Sequence, residues 1–98
     1  MLNINMPIST LIAGYESYKS GYRKKYRALL RRRFRFVDWK EQLDILEAFA
    51  RSTSSTDIKW IQNILKSDYR SSLNIIEAIY DRPRVQNLIN KINHNTTI

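Results

Sequence analysis

The 98-residue sequence contains no cysteine, one histidine, two glycines and two prolines. Without cysteine the chain has no disulfide, no thiolate nucleophile and no zinc–thiolate site. The single histidine, His94, lies in a polar stretch and cannot form a histidine metal site or a catalytic pair. Phosphate-binding glycine loops and nucleophile elbows are also missing. We therefore predict a non-enzymatic protein that binds no metal or cofactor.

The scarcity of glycine and proline also argues against a β-sheet. There is no Asn-Gly or Asp-Gly pair, the dipeptides typical of tight hairpins, and almost no alternation of apolar and polar residues. Apolar residues instead recur at three- and four-residue steps, as on one face of a helix. A hydrophobic fraction of 43% allows a packed core. The sequence predicts an all-α fold, a compact bundle of about five helices with a long basic N-terminal helix.

The length of the chain is that of one domain, too short for two independent cores. We predict a single helical domain over residues 1–98, with 1–8 and 93–98 as extended or frayed ends. The opening stretch MLNINMPISTLIAG contains no Lys or Arg and is interrupted by asparagine and proline, so it lacks the features of a secretory signal. No run of about 18 apolar residues could span a membrane. We expect a cytoplasmic protein.

The first predicted helix has Ser9 or Thr10 as its N-cap and ends at about Arg32. At 100° per residue, one stripe about 80° wide holds most of its aromatic side chains. This stripe contains Leu11, Tyr15, Tyr18, Tyr22, Tyr26, Leu29 and Phe36. Gly14 and Gly21 lie at its flank, where they allow a second helix to approach closely or mark a break near Gly21. We predict one continuous helix whose stripe faces the core or a partner.

The second predicted helix has the clearest start. Asp38 as N-cap and Glu41 three residues later resemble a capping box, and the helix is expected to end at about Arg51. Asp44 and Glu47 continue a series of acidic residues at three-residue steps. Capping and solvation explain this series, because no histidine or glycine-rich loop accompanies it to form a metal or acid–base site.

Three more helices are predicted in the second half of the chain. They run from about Asp57 to Ser67, from Ser71 or Ser72 to Tyr80, and from Asp81, with Pro83 in the first turn, to about Lys91. The predicted core of the second to fifth helices consists of Leu43, Leu46, Phe49, Ile61, Leu65, Ile76, Ile79, Leu88 and Ile89. We expect this core to pack against Leu11 and the tyrosines.

The distribution of charge is the most informative feature. The net charge is +8, and all of it lies in residues 1–35, because the remaining 63 residues contain eight basic and eight acidic side chains. The nine basic residues of the first segment are Lys19, Arg23, Lys24, Lys25, Arg27, Arg31, Arg32, Arg33 and Arg35. Glu16 is its one acidic residue. Charge concentrated in this way raises the local potential more than scattered charge does.

Five of these residues form a ridge at i,i+4 spacing, on the helix face turned away from the tyrosine stripe. They are Lys19, Arg23, Arg27, Arg31 and Arg35. Guanidinium groups make paired bonds to phosphate, and no predicted helix is suited to reading base edges in a major groove. We therefore predict a nucleic-acid-binding protein, of DNA or RNA, that uses phosphate contacts of its first helix and acts as an accessory regulator.

Two other functions fit the composition. The first is an adaptor or inhibitor that docks its basic helix on an acidic partner protein, with Tyr15, Tyr18, Tyr22 and Tyr26 as interface aromatics, since tyrosine and arginine are enriched at binding hot spots. The second is attachment to an anionic membrane surface. This function is disfavoured, because the stripe contains few Leu, Phe or Trp side chains that could insert into a membrane. A merely solvated basic face is disfavoured, because nine charges of one sign repel each other.

Overall fold

The computed structural model describes residues 6–17, 20–52, 54–67, 69, 73–75, 77 and 81–96. Every regular element among them is helical, which confirms the predicted all-α class. The elements are α1 (Ile8–Ser17), α2 (Ser20–Arg33), a 3₁₀ turn (Phe34–Phe36), α3 (Trp39–Ala50), α4 (Ser55–Lys66) and α5 (Arg82–Thr96). Residues 69, 73–75 and 77 are also helical.

The chain divides into two compact units, Met1–Ala48 and Phe49–Ile98. The first contains α1, α2, the 3₁₀ turn and most of α3, and the second contains α4 and α5. That residues 1–98 form one domain stays a prediction.

The first unit begins with a helical hairpin, so the prediction of one long N-terminal helix is wrong. A Cβ atom added to Gly14 would overlap the ring of Tyr26. In a continuous helix these residues would be about 18 Å apart along the axis. Helix α1 ends at Ser17 and α2 begins at Ser20, so α2 is continuous through Gly21.

The direction of the hairpin follows from three contacts between its helices. Besides the packing of residue 14 on residue 26, the Arg23 guanidinium carbon lies 4.6 Å from the centre of the Tyr15 ring. An Arg33 Nη1 atom donates a hydrogen bond to the Met6 carbonyl oxygen. All three pairs are centred on residues 19–20, so the two helices are antiparallel.

The sequence favours a reversal at this point for two reasons. Serine and glycine are weak helix formers, and Ser17, Ser20 and Gly21 are close together. Folding back also buries the apolar residues of α1 against those of α2, whereas a single helix would leave its whole stripe in need of another partner. Leu11 and Tyr15 of α1 are fully buried, as are Leu30 of α2 and Phe34 of the 3₁₀ turn.

Side-chain caps begin two of the helices as predicted. The Asp38 carboxylate accepts a hydrogen bond of 2.9 Å from the Glu41 backbone N–H at the start of α3. The Asp81 carboxylate accepts one of 3.1 Å from the Arg84 N–H at the start of α5, and Pro83 lies in the first turn. Both caps satisfy N–H groups that lack a partner within their helix.

The start of α1 differs from the prediction. Ser9 and Thr10 lie inside the helix, and neither precedes it as an N-cap. The Pro7 carbonyl oxygen instead accepts hydrogen bonds of 3.1 Å from the backbone N–H groups of Thr10 and Leu11. The helix therefore starts directly after the proline, whose fixed φ suits this position.

Helix α3 is buried over an arc of about 220°, much wider than the face predicted for it. Its buried residues are Leu43, Ile45, Leu46, Ala48, Phe49 and Ala50. Trp39, the first residue of the helix, is half-buried. Each fully buried large apolar side chain contributes about 1.5–3 kcal/mol, so this helix contributes strongly to stability.

In the second unit, Phe49 and Trp60 contact each other edge to face, with ring centres 5.0 Å apart. Trp60 is half-buried, whereas Phe49 is fully buried. The further apolar residues that are buried in the described part of this unit are Ala50, Ile61, Leu73, Val85, Leu88 and Ile92. Leu65 and Ile89 are only half-buried, and the predicted core residues Ile76 and Ile79, like the predicted cap at Ser71 or Ser72, lie outside the described residues. Helix α5 continues to Thr96, beyond the end predicted at about Lys91. That residues 93–98 form a frayed end stays a prediction.

Candidate functional site

Helix α2 carries the largest share of the protein's basic residues. Seven of its fourteen residues are Lys or Arg, and none is Asp or Glu. Its last turn consists of Arg31, Arg32 and Arg33. Cations at this end interact favourably with the partial negative charge of the helix dipole. This attraction partly offsets the repulsion among the three adjacent arginines.

Three of the five residues of the predicted basic ridge do not lie on the outer face. Arg23, Arg27 and Arg31 are half-buried, and the Nε atom of each is shielded from solvent. The reversal after α1 places them beside the buried residues Tyr26 and Leu30, and the Arg23 guanidinium lies over the ring of Tyr15. Arginine stems commonly cover apolar surface in this way. Replacing the three arginines would therefore disturb packing as well as charge.

The other predicted basic residues differ in their exposure to solvent. Arg33 is half-buried and is bonded to the Met6 carbonyl, so it closes the open end of the hairpin. Lys19 lies outside the described residues, as does Tyr18. The exposed residues are Lys24, Lys25, Arg32 and Arg35. We call these four residues the basic face.

The four tyrosines do not form one buried stripe. Tyr15 and Tyr26 are buried in the hairpin, whereas Tyr22 is 59% exposed. The Lys25 ammonium group lies 5.3 Å from the centre of the Tyr22 ring, within the range of a cation–π contact. The structure thus assigns these tyrosines to two roles, core packing and solvent-exposed surface.

Phe36 was predicted in the same stripe, yet it is the most exposed of the described large apolar side chains, at 85%. It ends the 3₁₀ turn whose first residue, Phe34, is buried. The Gln42 side-chain amide donates a hydrogen bond of 3.0 Å to the Phe34 carbonyl, which ties the turn to α3. The spacing of the two phenylalanines could have revealed this exposure, because residues i and i+2 point to different sides of either type of helix.

The exposed aromatic residues and two cations of the basic face share one side of α2 and the 3₁₀ turn. At the angular steps of the two helix types, they fall within an arc of about 100°. In chain order, this set consists of Tyr22, Lys25, Leu29, Arg32 and Phe36. We call it the mixed stripe. Leu29 is half-buried and the other four residues are exposed, so the stripe is an accessible surface.

Polar groups are also buried in the second unit. Asp57 in the first turn of α4 is fully buried, and its carboxylate accepts a hydrogen bond of 2.9 Å from the Ser52 hydroxyl. The same hydroxyl oxygen accepts one of 3.0 Å from the Ser54 backbone N–H. These bonds order the loop before α4, which begins at Ser55, two residues before the predicted start at about Asp57.

The described residues hold no group of three or more His, Cys, Asp or Glu side chains that could bind a metal ion. In the same part of the chain, no helix combines the length and apolarity that crossing a bilayer requires. Comparisons with known protein families, curated proteins and solved structures give no match to this chain. The chemistry of the basic face and the mixed stripe is therefore the basis for a functional proposal.

Proposed function

We propose that this protein binds nucleic acid through phosphate contacts of the basic face and acts as an accessory regulator without catalytic activity of its own. The observation that carries the proposal is the exposure of Lys24, Lys25, Arg32 and Arg35 on a segment whose helix contains no acidic residue. The face is accessible, of one sign and held on a regular helix. A nucleic acid presents a row of negative charges that complements it.

The proposal assigns the half-buried arginines a supporting role. Arg23, Arg27 and Arg31 pack beside the hairpin core and contribute positive potential, while the exposed cations make the direct phosphate contacts. If four phosphates are neutralised, log affinity should fall with log salt at a slope of about −4 for duplex DNA and about −3 for a single strand. Base sequence should have little effect, because phosphate contacts do not read it.

The test replaces all four residues of the basic face with glutamine and measures binding to duplex and single-stranded oligonucleotides over a range of salt concentrations. We expect affinity for both probes to be lost, because their phosphate contacts are removed. The matched control replaces two Lys and two Arg that are exposed elsewhere, namely Arg51, Lys59, Arg82 and Lys91. Both variants lower the net charge from +8 to +4.

The control separates the location of charge from its amount. We expect the control variant to retain most of the affinity and nearly the full salt slope, because its basic face is intact. Circular dichroism checks that both variants keep their helices. If the folded variants lose affinity equally, or if the basic-face variant binds as the natural sequence does, the proposal is wrong.

An adaptor for an acidic protein is the second candidate, and the exposure of Phe36 favours it, since aromatic anchors are typical of interface hot spots. Polyglutamate, an acidic polypeptide without bases or phosphates, serves as the competing probe. Tighter binding to polyglutamate than to either oligonucleotide at equal salt would favour the adaptor.

A further inference from the structure

Resting on the function proposed above, we propose further that the ligand is single-stranded nucleic acid, with bases stacked on Tyr22 and Phe36 and the intervening phosphates bound by Lys25 and Arg32. All four side chains belong to the mixed stripe and are exposed. Proteins that bind single strands without sequence preference combine these two components, a basic track and aromatic platforms.

The two rings at the ends of the mixed stripe are exposed to solvent. Tyr22 is 59% exposed and Phe36 is 85% exposed, although the same unit buries Tyr15, Tyr26 and Phe34. Exposing an aromatic ring forgoes the hydrophobic free energy that burial would give. The Tyr22 and Phe36 rings are therefore accessible to a ligand and are not part of the hairpin core.

The backbone that carries Phe36 is held in place by its neighbours. The buried Phe34 ring anchors the 3₁₀ turn from below, and the Gln42 amide holds the Phe34 carbonyl at 3.0 Å. Asp38 then caps α3 two residues after Phe36. A ring held on a fixed backbone loses less conformational entropy on binding than a ring on a mobile loop.

The distance between the two rings suits a short single strand. Tyr22 and Phe36 are fourteen residues apart, which corresponds to about 20 Å along the helix and the turn. At about 3.4 Å per phosphate of a stacked strand, this length covers about six nucleotides, within the site sizes of single-strand binders. Lys25 and Arg32 lie between the rings, where the backbone of such a strand would pass.

The arrangement favours a single strand over the other polyanions. In a duplex, the base faces are already stacked on one another and cannot contact exposed rings without unstacking. Protein–protein interfaces are depleted of lysine, yet Lys25 lies between the apolar residues of the mixed stripe. Alternating rings and cations match a ligand that alternates bases and phosphates.

The test compares two double variants with the natural sequence. In the first, Tyr22→Leu and Phe36→Leu keep apolar side chains but remove both rings; in the second, Tyr22→Phe and Phe36→Tyr keep the rings. The probes are an oligothymidylate of about 12 nucleotides and a mixed-sequence duplex of the same length. We expect the leucine variant to lose about 10-fold or more of its oligothymidylate affinity per ring.

Three further results are expected if stacking is responsible. The leucine variant should keep its salt slope and its duplex affinity, because its phosphate contacts are unchanged. The variant that exchanges the rings should bind oligothymidylate nearly as the natural sequence does. The Phe36 ring protons should shift upfield in NMR spectra as oligothymidylate is added, since a stacked base shields them.

The outcomes distinguish this inference from the proposed function. If both probes bind through the basic face but the leucine variant binds oligothymidylate normally, the stacking inference is wrong and the phosphate-binding proposal stands. If neither probe binds the natural sequence, both are wrong. If polyglutamate binding shows the same dependence on the two rings while oligothymidylate does not bind, the mixed stripe is a protein-docking surface.

Discussion

Arg23 shows how a charged side chain can serve the core and the surface together. Its guanidinium lies over the Tyr15 ring at 4.6 Å, and its Nε atom is buried. A cation–π contact contributes about 0.5–2 kcal/mol, and the arginine stem covers further apolar surface. Removing one positive charge from α2 relieves only a few tenths of a kcal/mol of repulsion. The packing loss therefore exceeds the electrostatic gain.

We expect Arg23→Ala to lower the free energy of unfolding by about 1 kcal/mol, measured by urea denaturation. Lys24→Ala is the matched control, because it removes the same charge from the exposed neighbouring position. Its effect should stay within about 0.5 kcal/mol. Equal stability of the two variants would show that Arg23 does not support the hairpin.

Tyr69 makes the free energy of unfolding depend on pH in the alkaline range. Its hydroxyl is buried, and desolvation raises the pKa of Tyr69 from 10.0 to about 12. The folded state therefore holds the phenolic proton more tightly than the unfolded state does. The resulting stabilisation is fully present below pH 10 and is lost as the pH rises from about 10 to about 12.

We expect Tyr69→Phe to lose less stability than the natural sequence between pH 10 and pH 12, measured by urea denaturation at each pH. The two proteins differ only in the Tyr69 hydroxyl, so the difference between the two curves isolates Tyr69. Parallel curves would contradict the raised pKa.

At the scale of the elements, the hairpin depends on Gly14. In an exposed helix, Gly→Ala stabilises by about 1 kcal/mol because alanine has the higher helix propensity. Here the added methyl group would overlap the Tyr26 ring. Overpacking costs about 1–3 kcal/mol, so the clash should outweigh the gain in propensity.

We therefore expect Gly14→Ala to be destabilising in thermal and urea denaturation. In a Tyr26→Leu background the same change should become neutral or stabilising, since the ring that it meets is gone. A double-mutant cycle with no coupling would mean that the two helices do not cross at this glycine.

The elements also show which features could be predicted from the sequence. The starts of α3 and α5 were predictable because Asp38 and Asp81 act locally, on N–H groups three residues away. The hairpin was not, because Ser17 and Gly21 are compatible with both a helix and a break, and the choice depends on what each helix buries. Because α1 and α2 are separate helices, the buried side of α2 does not follow from the buried side of α1. Arg23, predicted on the outer face, is therefore half-buried, and Phe36, predicted in the tyrosine stripe, is exposed.

At the scale of the whole molecule, each of the two units contains one tryptophan, Trp39 in the first and Trp60 in the second. Helix α3 begins in the first unit and ends in the second. The length of the chain predicts one cooperative domain. The variant Trp39→Phe keeps only Trp60, whose fluorescence reports on the second unit. The variant Trp60→Phe keeps only Trp39, which reports on the first.

In each variant, we expect the urea midpoint from tryptophan fluorescence to equal the midpoint from circular dichroism. This comparison within one variant removes the effect of the Trp→Phe change on stability. Leu46→Ala, which removes a fully buried side chain of α3, should cost about 2–5 kcal/mol and shift both reporters together. If only the Trp39 signal shifts, the units unfold independently and the single-domain prediction is wrong.

The hairpin also sets an order of events in time. Its three contacts join residues 8, 12 and 27 positions apart, and loops of this size close within microseconds. During synthesis at about 5–20 residues per second, the ribosome needs about one to three seconds to proceed from Arg35 to the end of α3. The same interval separates the emergence of Arg35 and of Ala50 from the ribosome, so the hairpin can arrange the cations of the basic face before all of α3 has emerged.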